Sequence, residues 1–201
     1  MANFVYKVAD IVYRFLALNI LWLFFFIIGL GVFGFMPSTV ALFRIVREWI
    51  KGNRDLPMFR SYYMYFKEEF ISSNIIGFIY AVLFYIIYVN FSFVPYFYDE
   101  SIHIYLYVVI SAVSLVLTIS YLNAFSVMAH FKHKKVMRYF VTSIGLVFAK
   151  PMSAIIQVFW IVAYTLIAIN YPKLFIPMGI SVLAYVLMSF NYSIFSKLKI
   201  Q

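Results

Sequence analysis

The stretch that decides the fold runs from Phe15 to Phe43, FLALNILWLFFFIIGLGVFGFMPSTVALF, with no charged residue in it. A bilayer core of ~30 Å takes about 20 helical residues. As one straight helix this run would reach about 43 Å at 1.5 Å per residue. Gly29, Gly31, Gly34 and Pro37 interrupt it. They predict one span near residues 15–35, a break, and a second helix starting near Pro37, where Ser38 or Thr39 would cap exposed backbone donors. On that second helix Arg44, Arg47, Glu48 and Lys51 fall at i, i+3, i+4 and i+7, and Leu42, Ile45, Val46 and Trp49 take the other side. Such a pattern suits a helix lying on the membrane surface, ended by Gly52-Asn53.

Outward from there, four more charge-free runs are each long enough for one helix. They place spans near 74–95, 104–128, 152–171 and 174–194, the last two joined by a tight turn at Asn170-Tyr171-Pro172-Lys173. Two basic, aromatic stretches, Pro57 to Phe70 and Phe131 to Ala149, read as further interfacial segments. The composition agrees: 66% of the 201 residues are hydrophobic and only 11% charged, against about 25% charged in a soluble domain. The fold class is therefore all-α, a polytopic membrane protein of about five transmembrane helices with interfacial amphipathic helices, expected as one integral membrane domain over residues 1–201. With no cysteine in the chain, disulfides, thiolate metal sites and cysteine nucleophiles are excluded. No cleavable signal peptide is evident, because the apolar run begins late and is long.

Lys and Arg set the orientation. The 44–67 and 132–150 segments and the C-terminal tail, with Lys197 and Lys199, hold thirteen of them; Lys7, Arg14 and Lys173 make three. The basic loops and the C-terminus are expected in the cytoplasm. An odd number of spans then puts the N-terminus outside. Alternatively Lys7, Asp10 and Arg14 rest on the cytoplasmic surface, which requires the 15–43 run to be a re-entrant hairpin.

Motifs for chemistry are sparse. Gly29-Leu30-Gly31-Val32-Phe33-Gly34 is a literal GxGxxG, but it lies inside an apolar run and the next acid, Glu48, comes only 14 residues later. It reads as a helix break or close packing, not a dinucleotide loop. His130 and His133 stand at i, i+3 with no third ligand nearby and cations around them, which reads as an interfacial stretch. Asn90 and Asn191 head glycosylation sequons at or inside span ends and are discounted. Asn19, Asn74, Asn123, Gln157 and Asn191 lie within spans, and each is expected to hydrogen-bond a neighbouring helix, at ~0.6–2 kcal/mol. Mid-span acids and bases are missing, which weighs against proton- or ion-coupled transport and against hydrolysis.

Leu18-Asn19-Ile20-Leu21-Trp22, the glycine-containing stretch and Pro37-Ser38-Thr39-Val40-Ala41-Leu42 resemble the YesL-type family of small bacterial integral membrane proteins. That family opens with L-N-x-L-W, a Gly-rich turn and then P-[ST/A]-T-x-A-L. The resemblance picks out Asn19, Trp22, Gly34, Pro37, Thr39, Ala41 and Leu42. It implies no established activity, no catalytic residues and no cofactor. It also implies genes beside carbohydrate-uptake ABC transporters and their regulators. The expected function is a non-enzymatic accessory partner of such a transporter or its sensor. The alternative is a small oligomeric permease or channel for a neutral solute, with the span amides lining its path. The expected partners are the lipid bilayer, transporter subunits or a membrane sensor, and a second copy of the chain; nucleic acid is not among them.

Overall fold

The computed structural model describes residues 2–198, so Lys199 of the basic tail lies outside the described residues. Seven helices follow one another: α1 (Ala2–Ile28), α2 (Val32–Ile50), α3 (Met58–Phe97), α4 (Glu100–His130), α5 (Val136–Ala149), α6 (Pro151–Asn170) and α7 (Pro172–Leu198). Among the described residues, five stretches are long and apolar enough to cross a membrane: Val8–Ile28, Met58–Phe97, Glu100–His130, Pro151–Asn170 and Gly179–Lys197. The chain is an all-α, multi-pass membrane protein.

The decisive run breaks earlier than expected. α1 ends at Ile28, and the chain reverses over residues 29–31. The Leu30 N–H donates to the Ile27 carbonyl and the Gly31 N–H to the Phe26 carbonyl, each at 2.9 Å. This pair of bonds is a Schellman ending, and it satisfies carbonyls the helix end would otherwise leave bare. Its left-handed position is held by Leu30, at φ 58°, where glycine is usual. α1 and α2 then lie antiparallel: Phe15 meets Trp49 at 5.8 Å between ring centroids, and Trp22 bonds Thr39.

Two expectations are corrected here. Pro37 does not start a helix; it lies inside α2, and neither Ser38 nor Thr39 caps it. Nor does α2 lie on a surface, since 13 of its 19 residues are buried. Helical spacing did separate charges from apolar residues, but both sides of α2 are covered by other helices. The hairpin also ties the beginning of α1 to the end of α2, because Arg14 donates to the Arg54 carbonyl. Arg14 therefore lies at the same end as the basic 50–54 segment, not across from it, as the hairpin alternative requires.

α3 runs across the hairpin. Phe25 of α1 packs on Phe59, Tyr62 and Phe66, while Tyr62 donates to the Ser38 carbonyl of α2 at 2.7 Å. The Pro57–Phe70 stretch is thus no separate surface helix but the first turns of a 40-residue helix. α3 and α4 pair antiparallel, from Phe91 against Tyr107 through Tyr80 and Ser120 at 2.6 Å to Glu68 and Lys132. α5 buries Tyr139, Ser143, Leu146 and Val147. Only Tyr171 separates α6 from α7. α7 returns along α1, where the Ser181 hydroxyl donates to the Phe15 carbonyl at 3.1 Å.

Candidate functional site

The residues picked out in the first 42 positions form a single structural unit. Gly29 and Gly34 are in backbone contact: a Cβ on Gly34 would fall on the Phe26 carbonyl oxygen, and one on Gly29 on the Gly34 Cα. Only glycine allows the two helices to approach this closely. One level away from the tip, the Trp22 indole N–H donates to Thr39 Oγ1 at 3.1 Å, and that hydroxyl donates to the Phe35 carbonyl at 2.7 Å. Ala41 and Leu42 are fully buried.

Pro37 and Asn74 belong together. Proline has no N–H, so the carbonyl four residues earlier, on Phe33, loses its helical partner. Asn74 Nδ2 on α3 donates to that carbonyl at 3.0 Å and to its own helix's Phe70 carbonyl at 2.8 Å. Both amide hydrogens are thereby used. In a membrane an unsatisfied carbonyl costs several kcal/mol, so Asn74 is what permits a proline inside a buried helix.

The remaining span amides also bond across helices. Gln157 Nε2 of α6 donates to Asn191 Oδ1 of α7 at 2.9 Å, and Asn191 Nδ2 to Asn123 Oδ1 of α4 at 3.0 Å. All three side chains are buried. Asn19 Oδ1 accepts from the Ser181 N–H at 3.0 Å.

A charged cluster was not foreseen. Arg44, assigned to an exposed face, is 2% exposed. Its guanidinium donates to Glu68 at 2.6 Å and to Glu69, and lies 5.4 Å from the centre of the Tyr65 ring. Lys132, beyond α4, closes on the other Glu68 oxygen at 2.9 Å. One turn along α2, Arg47 donates to the Ala129 and His130 carbonyls, capping the last turn of α4 with a positive charge at the negative end of the helix dipole. Glu48 receives Arg47 at 2.7 Å and Lys51 at 3.3 Å. Burial raises the Glu48 pKa, but the bonds and charges of Arg47 and Lys51 outweigh it and hold the carboxyl below its ordinary value. No spacing rule exposes this cluster, since Arg44 and its acids lie 24 and 25 residues apart.

The two histidines flank a shared aromatic ring, Phe131. His130 packs on Phe195 and Tyr192, and His133 stacks on Phe131 and meets Tyr139. Burial and the nearby Arg138 charge push the His133 pKa down. Among the described residues no group of three His, Cys, Asp or Glu is placed to hold a metal ion. Gly29 to Gly34 forms the helix corner described above and follows a helix, not a strand.

Residues 15–91, the hairpin and most of α3, match the family described as "Protein of unknown function, DUF624". Three proteins of Bacillus subtilis (strain 168) are similar to the chain. Uncharacterized protein YteU is 46% identical over 77 residues, 38% of this chain and 35% of the relative. Uncharacterized protein YesL is 48% identical over 68 residues, 34% of this chain and 32% of the relative. Uncharacterized protein YesV is 38% identical over 74 residues, 37% of this chain and 36% of the relative. The chain thus covers about a third of the length of these curated relatives. No solved structure matches. The matched segment contains the glycine corner, the Pro37–Asn74 pair and the Arg44–Glu68–Glu69 cluster, and over that segment the chain is similar to the DUF624 family and to the YesL-like group of small uncharacterised bacterial proteins.

Proposed function

We propose that the protein is a non-enzymatic accessory subunit of the bacterial cell membrane that docks on another integral membrane protein, a carbohydrate ABC transporter or its sensor in the first instance. The observation that carries this reading is that interior amides of three helices bond to one another. Gln157, Asn191 and Asn123 bond in sequence, and all three are buried. Amides committed in this way hold helices together and do not line a solute path, which favours docking over permeation. The acids follow the same logic. Glu48, Glu68 and Glu69 are each engaged by Arg or Lys, which commits them to joining helices. In this reading the basic ends and the C-terminus face the cytoplasm.

Affinity purification in a mild detergent tests the proposal. Co-purification of a transporter or sensor subunit at near-stoichiometric amounts is the expected result. Repeated recovery of the protein alone from cells expressing those subunits refutes it. Uptake of a small sugar or polyol by liposomes holding the purified protein would replace it with the permease reading.

A further inference from the structure

Where the two ends of the α1–α2 hairpin meet, a cavity of about 180 Å³ opens between α1, α2 and α7, lined by Ile11, Arg14, Phe15, Trp49, Arg54 and Tyr185. Its polar wall consists of donors. Arg14 spends Nε on Asp10 at 2.8 Å and Nη1 on the Arg54 carbonyl, which leaves Nη2 for a ligand. The Arg54 guanidinium has no acid partner among the described residues. Trp49 is 6% exposed, and its indole N–H is buried with no acceptor. The Trp49 ring forms part of the cavity wall beside the two arginines.

We propose that Arg14 and Arg54, beside the Trp49 ring, form a binding site for one phosphate group, carried either by an anionic lipid headgroup or by a soluble phosphorylated ligand. The chemistry selects phosphate over a simple carboxylate. Forked guanidinium donors from two side chains suit an anion with three or more acceptor oxygens. Asp10 lies behind Arg14, on the Nε edge, and so holds the guanidinium with its Nη2 edge free. The rest of the wall, Ile11, Phe15 and Tyr185, is apolar or aromatic and suits the glycerol and first methylenes of a lipid. Arg14 also bridges the hairpin's ends, so an occupant would brace the place where α1 enters the fold and α2 leaves it. Occupancy requires no protein partner, so the site stands or falls separately from the docking reading.

The test uses the full chain with Trp22→Phe and Trp160→Phe, leaving Trp49 as the sole indole reporter. It is placed in nanodiscs of phosphatidylcholine with 0–20% phosphatidylglycerol, and the Trp49 emission is followed. A saturable shift with phosphatidylglycerol identifies the lipid source. A shift in pure phosphatidylcholine discs on adding glycerol 1-phosphate or inorganic phosphate identifies the soluble source. In either arm Arg54→Gln, on an exposed loop, is expected to weaken binding about fivefold, the effect of one basic residue near an anionic surface. Lys134→Gln, a charge-matched change elsewhere, is expected to leave it within twofold. Absence of a saturable response to all three probes overturns the site, and so does equal weakening by Arg54→Gln and Lys134→Gln. Native mass spectrometry of the unmutated protein supplies an independent readout: one retained phosphate-bearing adduct per chain supports the site, and release of the bare chain from phosphatidylglycerol-containing discs counts against it.

Discussion

If Asn74 replaces the hydrogen bond that Pro37 removes, the two residues must be energetically coupled. The Phe33 carbonyl receives Asn74 Nδ2 at 3.0 Å and has no helical N–H to fall back on, because position 37 is proline. Asn74→Leu therefore strands a carbonyl in an apolar setting, at about 1–3 kcal/mol. The Phe70 carbonyl, which Asn74 also bonds, keeps the helix's own donor and adds little. In a Pro37→Ala background the restored N–H reaches the Phe33 carbonyl, and Asn74→Leu then costs only the ordinary interhelical bond, about 0.6 kcal/mol. The expected coupling is about 1–2 kcal/mol, above the ~0.3–0.5 kcal/mol scatter of independent sites. Unfolding in mixed micelles titrated with dodecyl sulfate, followed by far-UV circular dichroism for all four corners of the cycle, measures it. The sign of Pro37→Ala alone is not the test. Coupling below 0.5 kcal/mol would show that the bond to Phe33 is incidental.

Gly34→Ala drives a methyl group into the Phe26 carbonyl and is expected to cost 1–3 kcal/mol as overpacking, read as a fall in melting temperature in detergent; Gly145→Ala, where a Cβ meets nothing within 4 Å, serves as control. Arg44→Gln leaves Glu69 buried without its cation, a loss of about 3–5 kcal/mol, and Glu69→Gln in the same chain is expected to restore much of it. The His133 pKa lies below its ordinary 6.5 in the folded protein, so the unfolded chain binds more protons as pH falls past 6.5; this contribution to stability is full above that value and lost below it, and His133→Phe is expected to reduce the fall in melting temperature between pH 7.5 and 5.5. Because the chain lacks cysteine, single cysteines at Asp10 and Asn53 are expected to react with an impermeant maleimide only in permeabilised cells, and one at Asp99 in intact cells; a residue-10 cysteine labelled in intact cells would break the hairpin topology.

Hydropathy made the apolar helices legible because a bilayer imposes length and charge rules on each span separately. The α6–α7 turn at Tyr171 was readable for the same local reason. What failed was the reading of α2. Arg44, Arg47, Glu48 and Lys51 do share a helical face, but a face says only that its neighbours are polar, not that they are water. Here the neighbours are Glu68, Glu69 and the carbonyl end of α4, contributed by segments 24 to 83 residues away in the chain. The position of the break failed for a different reason. Proline and glycine both read locally as interruptions, whereas the chain turns at Gly29–Gly31 and carries Pro37 through a helix with help from Asn74. The amides were legible as groups needing partners, since hydrocarbon offers none, yet nothing local said that Asn74 would serve a proline's carbonyl while Gln157, Asn191 and Asn123 would serve one another. That division separates two roles: Asn74 repairs a backbone defect where the hairpin meets α3, and Gln157, Asn191 and Asn123 join α6, α7 and α4 through their side chains. Substitutions in the second group can be repacked with apolar residues of similar volume, whereas a change at Asn74 requires a matching change at Pro37.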